Sequence, residues 1–317
     1  MKPLHLPKPV HLLLMALGML GGCGAITVKT DPGHSERTLA ATRVAPPTVA
    51  AAKAAKAAKP TPASSADGLR LARLLRDQQR MEAATEVYAQ LEQRNALAPL
   101  ELLEYASVAA SVQAPADSLA LFGRARRALA HTTLAPAAAA TVCNGLGRAR
   151  MALGQTDAAL RDFECALRAD ADNVVALNAS GVLQDAAGRH AEARVLLERA
   201  SQLAPADSRI LNNLALSHLA SRDNAQAVRL LRQAQAPDQP ALALNLALAY
   251  TLQGDERAAR STLQALMPEA LAARALADFT LRRDRIAAGA PVGDELLAAS
   301  RQQLALREAG TEGRGNE

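Results

Sequence analysis

Side chains that could carry out chemistry are few and scattered in this sequence. Beyond residue 66, the histidines and cysteines are His131, Cys143, Cys165, His190 and His218. No two of them have the i, i+4 spacing that places two metal ligands on one helix face, and the H-E-x-x-H, P-loop and G-x-S-x-G patterns are absent from the sequence. We therefore predict no catalytic residue, no metal site and no small-molecule substrate. The alternative is an enzyme with an unrecognised site.

The remaining cysteine, Cys23, stands at the end of an N-terminal leader. Lys2 and Lys8 precede an apolar run over residues 10–20, which as a helix would span about 16 Å, roughly half of a bilayer core. Small residues follow in "LGGC", residues 20–23. A charged start, a short apolar core and small residues are typical of a secretory signal.

The "LGGC" end resembles the bacterial lipobox. That resemblance implies a lipoprotein signal peptide over residues 1–22 and a covalent lipid on Cys23, with no other cofactor. Gly24 stands where an aspartate would imply retention in the inner membrane, so the resemblance implies an outer-membrane location. A plain secretory signal is the alternative interpretation.

Composition and charge separate the leader region from the rest of the chain. Half of the 317 residues are apolar but only 2% are aromatic, which favours close-packed helices over a β-sandwich. The net charge of +5 comes from residues 1–66, which hold 8 Lys+Arg and 2 Asp+Glu, whereas residues 67–317 hold 28 and 29. Because a nucleic-acid binder carries its basic patch on the folded part, we exclude that class of partner. Residues 23–66, rich in Ala, Pro, Thr and Lys, are predicted to be a disordered, lipid-anchored tether.

A 34-residue repeat is the clearest pattern beyond the tether. Five residues of the segment 140–173 recur 34 positions later, namely Asn144, Gly147, Gly154, Ala159 and Ala166. The period and the order of small residues resemble the tetratricopeptide repeat. The resemblance implies an all-α superhelical solenoid of about six helical hairpins, each too small to bury its apolar face alone.

The repeat register extends in both directions from the two central segments. The predicted units cover residues 67–98, 99–132, 140–173, 174–207, 208–239 and 240–273. Residues 274–317 are predicted to form C-terminal capping helices and a polar tail, because repeat arrays need a polar end. In this register Cys143 faces the partner helix while Cys165 precedes an inward alanine, so free thiols are favoured over a disulfide.

The first helices of stacked hairpins are expected to line a groove. The residues predicted to bind a partner there are Asn144, Arg148, Asn178, Asp185 and Asn212, with Met151 and Leu219 beside them. An amide both donates and accepts hydrogen bonds, so the three asparagines suit the backbone of a bound peptide. The alternative is that they only tie neighbouring hairpins together.

The whole layout is similar to that of TadD-type lipoproteins of the Flp (tight adherence) pilus machinery and to the tetratricopeptide pilotins of type IV pili. This resemblance implies a periplasm-facing scaffold, anchored in the outer membrane, that assists pilus or secretin assembly through protein partners. The alternative is a lipoprotein adaptor for cell-wall hydrolases or for outer-membrane protein assembly.

Overall fold

The computed structural model describes residues 64–234, 239–296 and 298–299. The predicted signal peptide, Cys23, almost all of the tether and the polar tail lie outside the described residues. In the part that is described, α-helices account for all regular structure and no strand occurs. No helix of this part combines the length and the apolar character that crossing a bilayer requires.

Thirteen helices have bounds within the described residues. They are α1 (Ser65–Asp77), α2 (Met81–Gln93), α3 (Pro99–Ala109), α4 (Pro115–Ala128), α5 (Pro136–Ala152), α6 (Thr156–Ala169), α7 (Val174–Ala186), α8 (His190–Leu203), α9 (Ser208–Ala220), α10 (Asn224–Ala234), α11 (Pro240–Gln253), α12 (Glu256–Gln264) and α13 (Glu269–Ala287). One pair of these helices corresponds to each of the six predicted repeat units, although α1 begins at Ser65 and α5 at Pro136, before the predicted bounds at 67 and 140. The all-α fold class is confirmed.

The chain divides into two compact units. The first contains the hairpin of α1 and α2, whose interface is filled by Ala72, Ala84 and Tyr88, all fully buried. Helix α1 starts at Ser65 with Ser64 as its N-cap, slightly before the predicted end of the tether. The hairpin turns at Gln79, which takes the left-handed conformation with φ 61°.

The second unit contains the five hairpins from α3 to α12 and the long helix α13. Within it, the second helix of each hairpin also packs against the first helix of the next one, as α4 does on α5 and α6 on α7. Four first-turn prolines, at positions 99, 115, 136 and 240, start helices where no amide donor is needed. Stacking of this kind buries the apolar face that a single hairpin would leave in water.

Glycines act in the hairpins in the two ways that the repeat pattern predicts. Gly154, Gly188 and Gly254 end the first helices with φ of 72°, 75° and 92°, a conformation that costs glycine little. Gly147 and Gly181 permit close approach: a Cβ at Gly147 would lie 2.8 Å from the Phe163 ring. A Cβ at Gly181 would lie 2.6 Å from Cγ of Leu197.

Helix α13 closes the C-terminal side of the array. It begins at Glu269 with Pro268 as its N-cap, so its first turn lies within the last predicted repeat unit, 240–273. Its Ala272, Ala275 and Phe279 pack on buried leucines of α11 and α12. The side chain of Arg282 is buried beside two carboxylates, 2.7 Å from Asp278 and 3.3 Å from Glu295, so its charge is compensated.

Candidate protein-interaction surface

A ladder of amide side chains joins the first helices of the central hairpins. Each rung is one hydrogen bond between two asparagines, from Asn144 to Asn173 (2.8 Å), from Asn213 to Asn178 (3.0 Å) and from Asn245 to Asn212 (2.7 Å). The rungs connect α5 to the start of α7, α7 to α9, and α9 to α11. The ladder therefore fixes how successive hairpins stack.

The rungs use the three asparagines that were predicted to contact a partner. Asn178 and Asn212 are each only 5% exposed, and the Oδ1 atom of each accepts from the next hairpin. These hydrogen bonds correspond to the alternative interpretation, in which the asparagines tie neighbouring hairpins together. Contact of these two side chains with a partner stays a prediction, and only a narrow edge of each is open to it.

The third of these asparagines, Asn144, holds the start of the following hairpin. Its Nδ2 donates to Oδ1 of Asn173, which is the N-cap of α7 and also accepts from the backbone N–H of Ala176. The Asn144 Oδ1 atom is buried and has no hydrogen-bond partner among the described residues. Two donors on one cap oxygen fix the entry of the chain into α7.

Asp185 is the centre of a second polar contact between hairpins. Its Oδ1 atom accepts from Oγ of Ser217 at 3.0 Å and lies 2.8 Å from Nδ1 of His190. Burial raises the pKa of the Asp185 carboxyl, and the hydrogen bonds from His190 and Ser217 oppose this shift. The side chain therefore braces α7 against α9 and has little freedom to reach a partner.

Asp185, His190 and Ser217 combine the residue types of a hydrolase triad but not its geometry. Ser217 donates to the carboxylate and not to the imidazole, and it is 1% exposed. A nucleophile needs its base within hydrogen-bond reach and an open path to substrate. No group of three or more His, Cys, Asp or Glu side chains able to hold a metal occurs among the described residues either.

The open part of the predicted groove is a row of three side chains at the 34-residue period. Arg148 on α5, Val182 on α7 and Leu216 on α9 are each partly exposed, and we call them the surface row. Met151 and Leu219, which were expected beside it, lie in the core instead, since they are 4% and 0% exposed. Periodicity alone does not distinguish a groove position from one that packs under the next helix.

The two cysteines of the α5–α6 hairpin are joined, contrary to the expectation of free thiols. Sγ of Cys143 and Sγ of Cys165 form a disulfide, with the Cα atoms 5.8 Å apart. This Cα separation lies in the range that disulfides require. The expectation was wrong because α5 and α6 approach each other closely at Gly147. Cys165 therefore reaches Cys143 on the partner helix, although the neighbouring Ala166 is more buried than Cys165.

Comparison with known proteins identifies one of the repeat units. Residues 140–173 match the family model described as "Tetratricopeptide repeat". The chain is similar to a tetratricopeptide repeat protein from Parabacteroides merdae, with TM-score 0.51, 15% identity and coverage of 75% of this chain and 99% of that one. It is also similar to a chain of the APC/C hetero-tetramer Cut9–Hcn1, with TM-score 0.59, 15% identity and coverage of 69% and 44%. At these identities the likeness establishes the fold alone.

A curated relative matches part of the chain. The "Cellulose synthase 2 operon protein C" of Komagataeibacter xylinus is 38% identical over 128 residues. The match covers 39% of this chain and 10% of the relative, so the chain spans about a tenth of that protein's length.

Proposed function

We propose that this tetratricopeptide-repeat chain is a protein-interaction scaffold, held on the periplasmic side of the bacterial outer membrane by a lipid on Cys23. The observation that carries the proposal is the stacked array itself. The amide ladder fixes the spacing of the central hairpins, and the surface row is left for a partner. A rigid, repeated surface suits the recognition of protein, and such arrays bind partners far more often than they catalyse.

The Cys143–Cys165 bond supports export of the chain. Disulfides persist in oxidising compartments such as the periplasm and are rare in the bacterial cytosol. The bond closes a hairpin in the middle of the array, so its contribution to folding would depend on reaching that compartment. This support is independent of the lipobox sequence.

The function that we propose for the scaffold is assistance to Flp or type IV-like pilus assembly, with the secretin or another pilus-assembly component as partner. Its support is the resemblance in layout to TadD-type lipoproteins and pilotins, together with the repeat fold. The adaptor role for cell-wall hydrolases or outer-membrane protein assembly uses the same anchored array.

A second candidate function is favoured by one observation, the 38% identity to the cellulose synthase operon protein. That protein's name places it in a cellulose synthase operon, so a scaffold in an apparatus for polysaccharide synthesis is the corresponding role. The shared segment is 128 residues long.

Secretin assembly in cells tests the pilus proposal. Cells that lack the chain should show fewer heat-resistant secretin multimers on denaturing gels, and the wild-type chain should restore them. The Cys23→Ala variant, expressed to the same level, should fold but fail to fractionate with the outer membrane or to restore multimers. Unchanged multimers without the chain would refute the pilus role, and outer-membrane fractionation of Cys23→Ala would refute the lipid anchor.

A further inference from the structure

A cleft in the second unit is lined by arginines. It lies on α4 and its neighbours α3 and α5, and its volume is about 780 Å³. Arg124, Arg126 and Arg127 of α4 and Arg150 of α5 line it, and Asp117 is the single acidic residue of the lining. A cleft of this volume is within the range of binding pockets in proteins.

The charge of this arginine cleft is only partly compensated. Arg150 pairs with Asp162 at 2.6 Å. Arg126 and Arg127 are exposed and form no ion pair within the part of the chain that the structure describes. Because residues 67–317 are nearly neutral as a whole, the excess positive charge is a local feature of this cleft.

The buried Asp162 holds one guanidinium in place at the cleft. The Asp162 side chain is largely buried, and this burial raises the pKa of its carboxyl, while the charge of the Arg150 guanidinium lowers it. The more distant charge of Arg126 also acts on the same carboxylate. An anchored guanidinium beside two unpaired ones gives fixed and adjustable donors for carboxylates.

We propose that the arginine cleft binds an acidic peptide segment of the scaffold's protein partner. Arginine forks match carboxylates in geometry and charge. The cleft also offers the apolar side chains of Leu119 and Ala120, which are partly exposed and exposed, respectively, and can cover the aliphatic parts of an extended chain. A flat bilayer surface would not enter a concave space of this kind, and a nucleic-acid site would need a basic surface that extends beyond one cleft.

The proposal is tested by fluorescence anisotropy with the purified full-length chain. The probe is a fluorescein-labelled 12-residue peptide of alternating Glu and Ala, and the reference peptide carries Gln in place of Glu. At low salt the Glu peptide should bind and the Gln peptide should bind at least about tenfold more weakly. The double variant Arg126→Gln/Arg127→Gln should bind the Glu peptide about tenfold or more weakly than the wild type, since two charge-assisted contacts are lost.

The matched control removes the same charge from another second helix. Arg229 and Arg232 are exposed on α10, so Arg229→Gln/Arg232→Gln lowers the net charge equally and should change the affinity by less than about threefold. Equal weakening by both variants would overturn the proposal, because it would reveal non-specific attraction. Binding to vesicles of phosphatidylglycerol, but not to the Glu peptide, would overturn it in favour of a lipid surface.

This inference rests on the proposed scaffold function but fails separately from it. The peptide measurement contains no pilus component. If the affinity for the Glu peptide did not depend on Arg126 and Arg127, the acidic-peptide site would be overturned and the secretin result would be unaffected. Conversely, unchanged secretin multimers in cells that lack the chain would refute the pilus role without touching the peptide affinities.

Discussion

The rung between Asn212 and Asn245 gives the sharpest test of the amide ladder. The two side chains are 5% and 7% exposed, and Nδ2 of Asn245 donates to Oδ1 of Asn212 at 2.7 Å. Replacing one asparagine by leucine keeps the approximate size but leaves the other amide buried without this partner. Each single variant, Asn212→Leu or Asn245→Leu, should lower the free energy of unfolding by about 1–3 kcal/mol.

The double variant should cost less than the sum of the singles. With both amides replaced, no orphaned polar group remains from the rung, and two leucines can pack on each other. We expect a coupling free energy of about 1 kcal/mol or more, in the range of directly contacting residues. The assay is urea unfolding of the full chain, followed by far-UV circular dichroism.

A substitution at an exposed position serves as the control for the buried asparagines. Gln202 is exposed on α8, so Gln202→Leu should change stability by no more than about 0.5 kcal/mol. If the losses from Asn212→Leu and Asn245→Leu simply add, the two amides do not interact. The ladder would then not be the device that sets the stacking of these hairpins.

Three further predictions concern the hairpins. Ala193→Trp should destabilise the chain by about 3 kcal/mol, because Ala193 is fully buried at a helix crossing; an unchanged melting curve would contradict the repeat register. Cys143→Ser should cost about 3 kcal/mol for a 22-residue loop, and reductant should destabilise the wild type but not the variant. Burial raises the pKa of Asp185 above 3.8, so its contribution to stability is present below that pH and is lost as the pH rises through the folded pKa. Asp185→Asn should therefore gain stability relative to wild type as the pH rises above 3.8, and a difference in urea midpoints that stays constant with pH would refute this.

The repeat fold could be predicted because its signals are local. Gly154 and Gly188 mark turns through their left-handed conformation, and Gly147 and Gly181 mark close approach through the missing side chain. Both properties belong to the residue type at a fixed position in the repeat. The turn at Arg222 has the same left-handed conformation, with φ 64°, although no glycine marks it.

The candidate surface was harder to predict because it depends on stacking. The partners of the rungs lie 29–35 residues apart, and which asparagine meets which is set by the rotation between hairpins. Met151 and Leu219 share the helix face of the surface row in sequence but are covered by neighbouring helices. The prediction of free thiols at Cys143 and Cys165 was wrong for a related reason. Whether the two sulfur atoms can bond depends on the distance between α5 and α6, which the sequence does not show. The arginine cleft has one feature that is visible in the sequence, the run "RARR" at 124–127. The net charge of residues 67–317 does not point to it, because that charge is close to zero.

Capture of crosslinked partners tests the scaffold proposal most directly. The full-length, lipid-anchored chain is crosslinked in membranes, purified and analysed by mass spectrometry, alongside Val182→Asp in the surface row and Val195→Asp on α8. Val195 is 67% exposed on a second helix, so it controls for the added charge. We predict enrichment of a secretin or pilus component that Val182→Asp reduces at least about fivefold and Val195→Asp leaves unchanged. Equal recovery with all three chains, or enrichment of no envelope protein over a mock purification, would contradict the proposal that this array is a partner-binding scaffold.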